Sequence, residues 1–227
     1  FNNYGTLRRD GAFAADMNGI AFNNYGGVID VVNGTLQLNA SGALAGGSYN
    51  VAAGATLSFV GSSYGISETL TGSGSGTIRF QSANFNGGTA GAVLNFPAGL
   101  FEWGSEGYLT GTVTNAGFIK ITDGVAHITG AGVLNNAGTI TQTGGRLDFN
   151  TDSGPTLNNL AGGLYEVKIT GNNAFVGNFS SNESFNNYGT LRREGTNSAD
   201  MNGIAFNNFG GVIDVVSGTL QLNASGA

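Results

Sequence analysis

The sequence predicts an all-β chain wound into a three-sided parallel β-helix, with about 21–23 residues per coil and about ten coils. Three observations carry this reading. Short stretches alternate apolar and polar residues, the alternation returns at steps close to 21 residues, and the chain copies itself over a longer distance. Alternation with a period of two marks strands with one buried face, and a fixed short period marks stacked coils.

Taken along the chain, each strand signal is a glycine or alanine, a short spacer, and two apolar residues flanking a polar one. The series runs through Gly34-Thr35-Leu36-Gln37-Leu38, Ala55-Thr56-Leu57-Ser58-Phe59, Gly76-Thr77-Ile78-Arg79-Phe80 and Gly99-Leu100-Phe101-Glu102-Trp103. It continues through Gly117-Phe118-Ile119-Lys120-Ile121, Gly145-Arg146-Leu147-Asp148-Phe149 and Gly163-Leu164-Tyr165-Glu166-Val167. Leu36 to Leu57, Leu57 to Ile78 and Ile119 to Ile140 are steps of 21, Leu7 to Ile29 is 22 and Ile78 to Phe101 is 23. Steps of seven lie between them, from Ile29 to Leu36, Ile119 to Ala126, Ile140 to Leu147 and Ile213 to Leu220. Three sides of seven residues close one coil. The longer steps, Ile140 to Tyr165 and Tyr165 to Leu191, place corner loops at Asp152–Pro155 and Asn172–Ser184.

Residues 1–43 reappear as residues 185–227 with six differences, so residues 1–184 read as one complete unit and 185–227 as the start of the next in a single continuous rod. The differences are Asp10/Glu194, Ala12/Thr196, Phe13/Asn197, Ala14/Ser198, Tyr25/Phe209 and Asn33/Ser217. Four of them crowd into five positions, which predicts an exposed loop there, because a Phe-to-Asn exchange in a packed interior is costly. Near-identity elsewhere reads as a recently copied array, with both ends of the chain as cuts through a longer protein. The unit should hold eight or nine coils. Asparagine pairs followed by glycine recur at Phe1, Phe22, Phe185 and Phe206. They predict axial ladders of side-chain amides and left-handed corners.

Composition narrows the function. With 41 glycines, 2 prolines and 10% charged residues, the chain matches neither a charged disordered tail nor an ordinary enzyme. Eight basic against fourteen acidic residues give a net charge of −6, which excludes the clustered Lys and Arg of a nucleic-acid surface. The Arg8-Arg9 and Arg192-Arg193 pairs, each followed by an acid, read as solvated strand ends. Without cysteine there is neither a disulfide framework nor a thiolate metal site. No apolar run of about 18 residues spans a membrane in this segment.

No catalytic, cofactor-binding or metal-binding set emerges. His127, the single histidine, falls at an outward position between Ala126 and Ile128 and reads as a solvated surface residue. Asp148, one coil later, is its closest approach to a catalytic partner. Asp30, Arg79, Glu102, Lys120, Glu166 and Lys168 are outward charges with no distinguished pair. Thr110 and Thr112, and Thr139 through Thr143, do not recur with the coil as an ice-binding face would. Tyr4, Tyr25, Tyr64 and Tyr108 could stack on sugars, while Trp103 and Phe101 share the core-facing parity.

The grammar of Asn3-Tyr4-Gly5-Thr6-Leu7, Asn33-Gly34-Thr35-Leu36 and Asn136-Ala137-Gly138-Thr139-Ile140 resembles the β-helical passenger regions of bacterial autotransporters and filamentous-haemagglutinin-type exoproteins. That resemblance covers almost the whole chain and implies a secreted, cell-surface rod. It is found in adhesins, surface-layer and fibre components and, in a minority, enzymes. The expectation is therefore a non-catalytic extracellular structural repeat of a large bacterial surface adhesin or stalk. A self-assembling fibre or sheath subunit is the first alternative and a polysaccharide-acting enzyme the second. The expected partners are neighbouring repeats end to end, lateral copies of the same protein, and a surface or glycan ligand.

Overall fold

Alternating side chains send every second residue inward, and in the computed structural model those inward residues stack into continuous columns. The structure describes residues 1–61, 63–149, 153–171, 173–177 and 182–223. Within them every regular element is a strand, every pairing is parallel, and the strands form one sheet wound into about ten turns. The expected solenoid is what forms.

One turn shows the plan. Val133–Asn136, Thr139–Gln142 and Arg146–Phe149 are three successive sides, lying on Thr112–Asn115, Phe118–Ile121 and Val125–Ile128 of the turn before. We number the sides by the first turn: side one holds Asn2–Asn3, and sides two and three are the two halves of Thr6–Asn18. At roughly 4.8 Å per turn, ten turns make a rod roughly 50 Å long.

The predicted registers hold. Leu36 lies on Leu57, Leu57 on Ile78, Ile78 on Phe101, Ile140 on Tyr165 and Tyr165 on Leu191, all fully buried or nearly so. The interior is wide enough for rings: Phe80 stacks on Phe85 at 4.1 Å between centroids and Phe96 on Phe101 at 5.1 Å. Trp103 and Phe101 are core residues, and the Trp103 indole donates to the Gly107 carbonyl at 2.9 Å. Tyr64 is also core, donating to the Leu38 carbonyl at 3.0 Å, so it is unavailable to a sugar.

Three local expectations are corrected. Left-handed corners fall mainly to glycine: Gly34 and its copy Gly218 have φ of 68° and 75°, and a Cβ at either would collide with the carbonyl of Gly11 or Gly195. Asn173 is the only asparagine with positive φ among the described residues. The differences clustered at residues 10–14 and 194–198 lie on an outward excursion within a strand rather than in a separate loop: Asp10 faces Asn33 and Ala14 faces Thr35, so four steps oppose two. The same excursion separates Glu194 from Ser198. It is exposed as expected, with Phe13 at 85%. Finally, the expected loop Asn172–Ser184 contains the strand Phe175–Gly177, with Phe175 lying on Leu147. Asp152, Asn172 and the Asn178–Ser180 stretch lie outside the described residues.

Candidate functional surface

Parallel stacking carries each outward residue onto the outward residue of the next turn, so the chemistry of this surface is arranged in axial columns. The longest charged column occupies side three: Asp16, Gln37, Ser58, Arg79, Glu102, Lys120, Thr141, Glu166, Arg192 and Asp214. Its charges alternate in sign along the axis from Arg79 onwards. Glu102 lies between Arg79 at 3.8 Å and Lys120 at 3.3 Å. Thr141 donates to Glu166 at 2.9 Å, and Arg192 bridges Glu166 at 3.9 Å and Asp214 at 2.9 Å. Beside the column Lys168 meets Glu166 at 3.5 Å and Glu194 at 3.3 Å. Burial pulls the Lys168 ammonium down, but Glu194 and Glu166 outweigh it and raise it above its ordinary value. These exposed pairs contribute little individually. Their effect is to leave the acids of the column facing cations rather than each other, the reverse of a glycosidase dyad.

The second cluster is on side one, where Tyr108, His127 and Asp148 stack in register. The expectation of a solvated His127 is corrected: it is 9% exposed, because the Tyr108 ring lies flat against it at 4.4 Å and 7°. Its partner comes from the preceding turn, Glu106, with Nε2 3.0 Å from the carboxylate. Asp148 is held instead by both ends of the Arg146 guanidinium, at 2.7 and 2.9 Å. The Tyr108 hydroxyl donates to Glu106 at 2.9 Å and, ahead of the His127 contact, holds that carboxyl below its ordinary range. The same bond raises the Tyr108 phenol. An acid held ionised cannot act as a proton donor near neutrality.

The third feature is buried. Asn115 donates to Asn136, Asn136 to Asn159, Asn159 to Asn187 and Asn187 to Asn208, each at 2.8 Å. The second amide hydrogen of Asn115, Asn136, Asn159 and Asn187 goes to a backbone carbonyl of the next turn, Thr139, Leu164, Thr190 or Val212. A parallel outer ladder joins Asn135, Asn158, Asn186 and Asn207 at 2.9 Å per step. The expected ladders are present, and both cross from the first copy into the second.

Arg193 was read with Arg192 as a solvated strand end, and that is overturned. Arg192 points out, whereas Arg193 is fully buried in the core column between Val167 and Val215. It donates to the carbonyls of Val167 at 2.9 Å, Ile169 at 3.1 Å, Asn197 at 2.6 Å and Thr219 at 3.3 Å. Desolvation lowers its basicity. The signal was in the sequence, since Arg193 shares the inward parity of Leu191.

Among aromatic residues left outside, Tyr4 stacks on Tyr25 at 5.2 Å and, in the second copy, Tyr188 on Phe209 at 5.1 Å. Among the described residues no group of three or more His, Asp or Glu side chains gathers as metal ligands would. Comparison with protein-family models, with curated proteins and with solved structures finds no match for this chain.

Proposed function

We propose that this chain is a non-catalytic extracellular structural repeat, a rod-like segment of a large bacterial surface adhesin or stalk. The observation that carries the reading is that its outward polar groups bind the turns above and below them. Glu102 and Glu166 sit among cations, Asp148 is clamped by Arg146, His127 is closed in by Tyr108 and Glu106, and the asparagines donate up the axis. Such groups transmit the coil pattern and add length, and a tandem solenoid gains length simply by adding units. Secretion and a bacterial origin rest on the resemblance to autotransporter passenger and filamentous-haemagglutinin-type regions.

Immunogold electron microscopy of source cells tests this, using antibody to the chain. Single projecting rods are expected. Ordered tubes or bundles would replace the reading with a self-assembling sheath, and a sugar-cleaving activity lost on His127→Ala would replace it with an enzyme.

A further inference from the structure

The two copies of the repeat do not occupy the same sides of the rod. Arg8 pairs with Asp30 on side two at 3.4 Å, whereas its counterpart Arg192 pairs with Asp214 on side three at 2.9 Å. Likewise Asn2–Asn3 begin side one, whereas Asn186 and Asn187 lie on the side-two strand Ser184–Asn187, stacked on Asn158 and Asn159. From Asp16 to Arg192 the side-three column climbs eight turns, and Arg8 lies one side before Asp16. The 184-residue period is therefore eight and one-third turns.

We infer that an array of these units presents its repeated surface in three directions, each unit turned by one side, about 120°, from the one before. At roughly 4.8 Å per turn each unit advances about 40 Å, and the original direction returns after three units, about 120 Å along the rod. This rests on the rod reading above and gives it a display geometry. The element displayed is the excursion. In the first copy it stands between sides two and three, and in the second between sides three and one. Its tip carries four of the six differences between the copies, Asp-Gly-Ala-Phe-Ala against Glu-Gly-Thr-Asn-Ser, while the glycine facing it from the next turn, Gly34 or Gly218, is the same.

A varied tip is a poor contact between identical rods, which need a constant, self-complementary surface. Side-by-side rods would moreover meet equivalent surfaces only at every third unit. The geometry fits a partner of another kind, one that is multivalent and can reach the rod from any direction.

Because the chain has no cysteine, labels can be placed singly. Cysteines introduced by Ala12→Cys and Thr196→Cys, at exposed positions that already differ between copies, are biotinylated and bound to monovalent streptavidin. The angle between the labels about the rod axis is then read by single-particle electron microscopy. About 120° is expected. A second pair, Ala12→Cys with Tyr188→Cys, lies along one edge and should give an angle near zero. An angle near zero for the first pair, or the two results exchanged, overturns the one-third-turn advance. Side-by-side bundling of purified rods with contacts repeating every 40 Å or so overturns the inference about the partner. The label angle does not depend on what the rod does, so either failure is separable from failure of the stalk reading in surface images.

Discussion

At the residue scale, one side chain type performs two different tasks according to its parity. Asn159 faces inward, is fully buried, and has its amide and carbonyl oxygen held by Asn136, Asn187 and Thr190. Asn158, its neighbour, makes the same axial bonds to Asn135 and Asn186 but faces the solvent side. Losing a buried amide leaves its partners without water to replace it, so Asn159→Ala should destabilise the chain by about 2–4 kcal/mol, against less than about 1 kcal/mol for Asn158→Ala. Urea denaturation of the two variants checks this, and equal losses would show that the inner ladder is not a buried polar spine. The recurrence of Asn-Asn-x-Gly announced these ladders. The burial of His127 was not announced, because the covering ring and the carboxylate come from Tyr108 and Glu106, nineteen and twenty-one residues earlier. No local pattern around Val125-Ala126-His127-Ile128 contains them.

At the element scale, the excursion is held open by a cation inside the rod. Arg193 ties Val167 and Ile169 of one turn to Asn197 in the excursion and Thr219 beyond it. A buried charge without a carboxylate is tolerated because four carbonyl dipoles converge on it. Arg193→Met keeps the apolar stem but leaves those carbonyls without donors. It should cost about 2–3 kcal/mol and abolish slow amide exchange across residues 194–198. Arg192→Ala removes only exposed ion pairs and should cost less than about 1 kcal/mol. Hydrogen exchange on both variants distinguishes a structural anchor from a solvated pair. The strands around this feature were legible from alternation, and the clustered differences marked the excursion as exposed. Its form as an insertion within a paired strand depends on the register against Asn33 and Thr35, which alternation cannot supply.

At the scale of the whole molecule, repetition explains both regularity and contrast. Ile29 is fully buried beneath Tyr49 of the next turn, while the identical residue Ile213 is 40% exposed at the end of the described chain. The same sequence is core or edge according to whether another coil follows. The coil period was readable from spacings such as Leu36 to Leu57. The one-third-turn advance was not, because coils of 18 to 26 residues do not divide the 184-residue unit into equal turns. The central claim is that these units form one uninterrupted rod whose purpose is extension. Its most direct test is the length, by electron microscopy, of arrays carrying one, two and three 184-residue units. Each added unit should lengthen the rod by about 40 Å without a break, whereas a length that fails to grow in proportion, or beads joined by flexible gaps, would contradict the account.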